Sequence, residues 1–131
     1  MSQPEHELQS RILLALGALP NVRLFRNNSA SGWAGKLVSK NPDGSVTIAH
    51  ARPLHAGLIK GSGDLIGWKV TREINVETGA PVLTAQFLSI EVKTDTGRPT
   101  PEQLNWRDRV ILSGGIAGIV RSVEEALALV Q

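Results

Sequence analysis

The chain has 131 residues, a formal net charge of +2 and no cysteine, with 41% hydrophobic and 20% charged residues. Its length suits a single domain with a real core, and its composition is ordinary for a soluble globular protein. The lack of cysteine excludes disulfides and thiolate metal sites, so any metal must be held by oxygen or histidine. No run spans a membrane and no signal segment opens the sequence, so we expect a cytoplasmic protein with no membrane partner.

The first predicted element is a helix that begins at residues 2–5, which have the Ser-x-x-Glu form of a capping box. Apolar residues then recur at helical spacing until Pro20. Glu5 is assigned to capping. Glu7 has no such duty, and it either pairs with Arg11 on the helix surface or serves a site. Residues 22–26 alternate like a short strand.

A hairpin is predicted next. Residues 27–35 have turn composition, and the strands 36–39 and 45–49 flank the turn Asn41-Pro42-Asp43-Gly44. This insertion, at about residues 28–56, lies in a basic part of the chain. Seven basic side chains stand against two acidic ones between Arg23 and Lys69, whereas the chain from Pro99 onward has three basic and four acidic.

Such a basic segment suits a polyanion, although ordinary solvated surface charge explains it equally well. We interpret the hairpin as a basic flap beside a site that touches nucleic acid. The candidate nucleic-acid-binding residues are Arg26, Lys36, Lys40, Arg52 and Lys60.

Two β segments carry the strongest pattern. In the strand 87–93 the side chains of Leu88, Ile90 and Val92 fall on one face. Ser89, Glu91 and Lys93 fall on the other. Asp64 opens a second run, residues 65–70, within a glycine-rich stretch. If the two strands pair, the carboxylate of Asp64 comes to lie beside Glu91.

This set of residues predicts metal-assisted hydrolysis of a phosphodiester. Mg²⁺ is usually held by one or two carboxylates, with waters and substrate phosphate completing its shell. Asp64 and Glu91 would supply the carboxylates, and the backbone carbonyl of Val92 a third oxygen. Lys93 would orient or deprotonate water and offset negative charge in the transition state. The alternative is a solvent-facing Glu-x-Lys pair, which is commoner in strands.

The remaining elements complete an α/β chain. Residues 100–103 form a capping box with Pro101 at the first helical position, so Gln103 either caps the helix or serves the site. Gly114-Gly115 ends this helix, residues 116–120 read as a buried strand, and a short helix follows Ser122. The order is helix, strand, hairpin, strand, strand, helix, strand, helix. It predicts a mixed sheet flanked by helices, with a right-handed crossover before the last strand.

Taken together, these segments resemble the VRR-NUC domain, a branch of the PD-(D/E)XK nuclease superfamily found in bacteriophage proteins and DNA-repair nucleases. The resemblance rests on Glu7-Leu8-Gln9, Gly-Ser-Gly-Asp64-Leu-Ile, Ile-Glu91-Val-Lys93, Gln103 with Trp106, and the closing Gly-Gly-Ile-Ala-Gly-Ile-Val-Arg-Ser. It covers nearly the whole chain, and the order and intervals of the motifs are more specific than any one of them.

The resemblance implies a single restriction-endonuclease-like domain over residues 1–131 that cleaves DNA with Mg²⁺ or Mn²⁺. By position, Asp64 and Glu91 would bind metal, Lys93 would position water or stabilise the transition state, and Gln103 would assist. Glu7 would contact the metal through water. The family often has proline before the acid, where this chain has Gly63. For a phage-encoded protein, the expected location becomes the host cytoplasm.

Two alternatives stay open. The fold could be a catalytically inactive nuclease that acts as a nucleic-acid-binding module, with the acids paired to Lys93 and its neighbours. It could also be a structure-selective enzyme that nicks DNA or cuts branched DNA. A resolvase of four-way junctions would have to be a homodimer to place two symmetric cuts.

Overall fold

The computed structural model describes residues 3–131. Its elements run in the predicted order: α1 (Gln3–Gly17), β1 (Val22–Arg26), β2 (Ala30–Lys40), β3 (Val46–Ala56), β4 (Leu65–Ile74), β5 (Pro81–Val92), α2 (Pro101–Leu112), β6 (Ile116–Val120) and α3 (Val123–Leu129). They divide between two compact units, residues 28–59 and the rest of the described chain.

The larger unit contains a four-stranded sheet with the order β1-β4-β5-β6. β4 pairs antiparallel with both β1 and β5, whereas β5 and β6 are parallel. Because parallel neighbours need a crossover, the chain passes through α2 between them. The predicted α/β architecture with a mixed sheet and flanking helices is therefore confirmed.

The core lies on one face of this sheet. Leu88, Ile90 and Val92 of β5 are at most 1% exposed and pack with the apolar side of α1 and with α3. The intervening Ser89 and Glu91 point to the opposite face, because side chains alternate along a strand. That second face is covered by α2, whose side chains bond to both residues. The acid-bearing side of β5 thus lies under a helix.

Local signals at the helix ends are confirmed where the structure describes them. Thr100 caps α2 through its side chain, Gln103 completes the capping box, and Pro101 is in the first turn. Ser122 caps α3 by accepting from Glu125. The capping box predicted at residues 2–5 depends on Ser2, which lies outside the described residues.

The smaller unit is a hairpin of β2 and β3, paired antiparallel around a turn in which Gly44 has φ +89°. That φ is accessible to glycine, as the predicted Asp-Gly turn requires. The predicted turn over residues 27–35 is wrong from Ala30 onward, because the chain is already in β2 there. β3 likewise extends to Ala56. Cross-strand pairing overrides the weak strand preference of Ala, Ser and Gly.

One further boundary differs from expectation. The β run predicted over residues 65–70 is longer in the structure, because residues 71–74 continue β4 and pair with β5 as far as Ile74 opposite Pro81. The described part of the chain contains no helix with both the length and the apolar character needed to cross a membrane.

Candidate functional site: an acidic pair with a lysine

Asp64 and Glu91 meet where β4 and β5 adjoin. Leu65 pairs with Ile90, so the residues next to this pair, Asp64 and Glu91, are neighbours across the two strands. Asp64 Oδ2 accepts a hydrogen bond from the backbone N–H of Val92 at 2.9 Å. The Asp64 carbonyl accepts another from Asn27 N at 2.8 Å. Both side chain and backbone of Asp64 are therefore fixed by the sheet.

The carboxylate of Glu91 is buried, with its side chain 8% exposed. Its Oε1 accepts a hydrogen bond from Gln103 Nε2 at 2.7 Å and lies 3.4 Å from Lys93 Nζ. Its Oε2 is buried and receives no hydrogen bond from any residue in 3–131. An unsatisfied buried carboxylate oxygen is costly, so Oε2 needs a proton or a cation.

The electrostatics of the pair point the same way. Burial, and then the negative charge of Asp64, raises the pKa of Glu91 to about 7, against the opposing effect of Lys93. Burial also raises the pKa of Asp64, although the Val92 N–H, a hydrogen bond with Glu91 and the charge of Lys93 oppose the rise. When Glu91 is protonated it can share its proton with Asp64. When both are ionised, their negative charges repel each other, and the charge of Lys93 offsets this repulsion only in part.

Gln103 performs both duties that its sequence position suggested. Its Oε1 accepts from Thr100 N at 2.9 Å, which closes the capping box. Its Nε2 donates to Glu91. The capping bond thus fixes the amide so that its donor end faces the acid. Gln103 is a positioning residue that ties the start of α2 to Glu91.

The backbone carbonyl of Val92 lies at the same edge. Lys93 N bonds to Val120 O on β6, so the N–H of the preceding residue, Val92, points the other way and reaches Asp64. The N–H and C=O of one strand residue point to the same side. The Val92 carbonyl is therefore directed toward the edge that holds Asp64, as a third oxygen ligand requires.

Gly63 allows the close approach on which this arrangement depends. A Cβ at this position would collide with Ser89 Oγ and lie 3.0 Å from the carbonyl of Ile90. The position excludes proline for the same reason. Asn27 also holds the loop here, because its Nδ2 donates to Ser62 Oγ and to the Gly63 carbonyl, both at 2.8 Å.

Glu7, the predicted first-helix acid, is exposed and no described contact joins it to the pair. Glu5 is closer, since its charge contributes to the raised pKa of Asp64. Its Oε1 and the Cδ of Lys93 both lie 3.4 Å from the position a Cβ would take on Gly97. The sequence analysis missed Glu5 because the Ser-x-x-Glu pattern assigned it to capping. Helical spacing is a signal that could have found it, because Glu5 lies on the same face of α1 as Leu8 and Ile12, which are buried.

The candidate nucleic-acid residues fall into two groups. Arg26 is half-buried, and its guanidinium donates to Gln9 Oε1 at 2.9 Å and Ser10 Oγ at 2.8 Å on α1. Lys60 lies 3.6 Å from Glu102 across a mostly exposed ion pair. The two hydrogen bonds of Arg26 hold β1 against α1. The other three candidates, Lys36, Lys40 and Arg52, are exposed residues of the hairpin.

Within residues 3–131 no three His, Asp or Glu side chains form a group that could hold a metal. The ligands that remain are the carboxylates of Asp64 and Glu91 and the Val92 carbonyl that points toward them. Mg²⁺ accepts so small a set when waters and phosphate complete its shell.

No family model, curated protein or solved structure matches this chain.

Proposed function

We propose that this protein is a metal-dependent nuclease that hydrolyses phosphodiester bonds in DNA, with a restriction-endonuclease-like core of the VRR-NUC type. The observation that carries the proposal is the acidic pair of half-buried Asp64 and buried Glu91, with the unsatisfied Glu91 Oε2 and Lys93 beside it. Structural ion pairs also bury acids, but they normally satisfy each oxygen. This pair leaves Glu91 Oε2 for a ligand.

A divalent cation would fill that gap in place of the proton. Mg²⁺ and Mn²⁺ prefer carboxylate and carbonyl oxygens, and a bound cation favours the ionised form of both acids. Asp64, Glu91 and the carbonyl of Val92 would hold it. When bound, the ion polarises a phosphoryl oxygen and lowers the pKa of water.

The protein's own residues then have distinct roles. Lys93 places an ammonium group 3.4 Å from Glu91, where it can orient water and stabilise negative charge that develops on the phosphate. Gln103 holds Glu91 in place from α2. Glu5 adds negative charge near Asp64. Hairpin cations Lys36, Lys40 and Arg52 would add sequence-independent affinity for the phosphate backbone.

The test is nicking of supercoiled plasmid in Mg²⁺ or Mn²⁺ by the wild type and by Asp64→Asn, Glu91→Gln and Lys93→Ala. Removing one transition-state contact typically slows an enzyme by about 10²–10³-fold, and we expect at least this loss in each variant. Glu73→Gln is the matched control, because Glu73 is an exposed acid on β4 about 30 Å along the strand from Asp64. Cleavage that survives all three site changes, or that needs no metal, would contradict the proposal.

A binding module without catalysis is the second candidate. It is favoured by one observation: both Lys93 and Gln103 already engage Glu91 Oε1, so the acid is partly satisfied without metal. In that case the protein binds DNA but leaves every substrate uncut in Mg²⁺ and Mn²⁺. A junction-cutting homodimer is a further form of the nuclease proposal. It is tested by light scattering together with cleavage of a four-way junction.

A further inference from the structure

A strip of aromatic rings crosses the sheet on the face that carries Glu91. Phe25 pairs with Ile66, and Trp68 pairs with Phe87, on the same face as Ser89 and Glu91. The ring centroids of Phe25 and Trp68 are 5.7 Å apart, and those of Phe87 and Trp106 are 6.3 Å apart. Four of the five aromatic residues of the chain therefore lie in one band.

The band remains open to solvent. Phe25 is 52% exposed, and Trp68 and Phe87 are each 39% exposed. α2 covers the β5 and β6 side of this face, where Trp106 donates to Ser89 Oγ at 2.8 Å. At its α2 end the band opens into a groove of about 560 Å³, lined by Phe87, Trp106 and Arg109 among others. We call Phe25, Trp68, Phe87 and Trp106 the aromatic strip.

Two guanidinium groups flank the aromatic strip. Arg23 pairs with Trp68 in the sheet and is exposed, and Arg109 lines the groove. Within residues 3–131, neither has a described hydrogen bond or ion pair to take up its charge. Open ring faces with cations beside them are what proteins use to bind single-stranded nucleic acid, because bases stack on the rings and phosphates meet the cations.

The position of the strip relates it to the acidic pair. Phe87 and Glu91 are four residues apart on one strand, which is roughly 13 Å. α2 covers Ser89 and Glu91 from this side, so the strip shares a face of the sheet with the acidic pair but lies outside the part that the helix covers. Duplex DNA cannot stack its bases on the strip, since they are already stacked on each other.

We propose that the aromatic strip binds unstacked bases, so that the preferred substrate is a single-stranded segment of nucleic acid. This inference rests on the proposed nuclease function for its biological use, but the binding itself does not need catalysis. A second copy of the chain is the less suitable occupant. A two-fold dimer through this face would bury Arg23 and Arg109 of both copies, and burying charges without a partner is costly.

The experiment measures binding of a labelled 20-nucleotide single strand, and of its duplex, by fluorescence anisotropy in EDTA so that nothing is cut. We expect the wild type to bind the single strand at least about ten-fold more tightly than the duplex. Trp68→Ala should weaken single-strand binding about ten-fold and duplex binding less than two-fold. Trp68→Phe should restore most of the loss, because it keeps a ring face. Leu14→Ala is the control, because Leu14 is an apolar residue on α1 that is 78% exposed. It should leave both single-strand and duplex affinity unchanged.

Several results would overturn the inference. One is equal affinity of the wild type for the single strand and the duplex. Another is an equal loss of affinity for both in Trp68→Ala, and a third is a dimer in light scattering that Trp68→Ala dissociates. Cleavage in Mg²⁺ separates this proposal from the proposed function. If Lys93-dependent cutting occurs without single-strand preference, the nuclease stands and the strip fails. If single-strand binding depends on Trp68 but nothing is cut, the strip stands and the nuclease fails.

Discussion

The two units of this protein differ in how their residues are held. In the larger unit Ile12, Leu16, Leu88 and Ile90 are fully buried, and the acidic pair is fixed by hydrogen bonds from β5 and α2. In the hairpin, residues 28–59, no residue is buried. An isolated two-stranded ribbon is only marginally stable. Chemistry that needs fixed geometry therefore belongs to the first unit, and adaptable charge contacts to the second.

The largest expected effect is on folding. Ile12→Ala removes a fully buried side chain and should lower the free energy of unfolding by about 2–5 kcal/mol. Leu37→Ala truncates a hairpin side chain that is 50% exposed and should change it by less than about 0.5 kcal/mol. Urea denaturation of both variants measures the difference. Equal losses would show that the hairpin has a core of its own and would remove the contrast.

A smaller effect is expected on DNA affinity when the hairpin loses its charge. Replacing Lys36, Lys40 and Arg52 together by Gln removes three exposed cations. If all three meet phosphates, the slope of log affinity against log salt should become shallower by about 2.7. The unfolding free energy should not change, because the three residues are exposed.

Arg11→Gln on α1 is the control for that experiment, since it removes an exposed cation from the larger unit. Its salt dependence should match the wild type. An unchanged slope in the triple variant would show that the hairpin does not contact phosphates, and the role of residues 28–59 would then lie elsewhere.

The smallest expected effect is a pH dependence confined to the acidic pair. The folded pKa of Glu91 is about 7, above its ordinary value of 4.5, so the folded state binds more protons between these values. The stability that protonated Glu91 contributes is therefore lost as pH rises through this window. Without metal, Tm should fall by on the order of a few degrees from pH 4.5 to 7. Glu91→Gln should flatten this decline, and parallel curves for both proteins would contradict it.

The sequence was sufficient to predict a mixed sheet and an approach of Asp64 to Glu91 if their strands pair, because short-range patterns indicate the strands and their faces. Strand alternation placed Glu91 and Lys93 on one face, and pairing of two neighbouring strands brought in Asp64. The capping box at Thr100 was equally visible. The order of elements followed from breaks at Pro and Gly.

Other features depend on tertiary packing and could not be predicted in this way. Glu5 is in phase with the buried stripe of α1 and Glu7 is not, but the placement of α1 against the sheet decides that this side chain lies near Asp64. The extent of β2 depends on its partner strand, since Ala30 to Gly35 has little strand preference of its own. That Gln103 both caps α2 and bonds to Glu91 required the position of α2 over β5.

The most direct test of the central claim is to measure Mn²⁺ binding to the metal-free protein by electron paramagnetic resonance at neutral pH. The account predicts a site that is lost in Asp64→Asn and in Glu91→Gln and retained in Glu73→Gln. Mn²⁺ should also raise the Tm of the wild type, because it neutralises the acidic pair in the folded state. It should not raise the Tm of Asp64→Asn or Glu91→Gln. An absence of binding in the wild type, or binding that persists in both site variants, would contradict it.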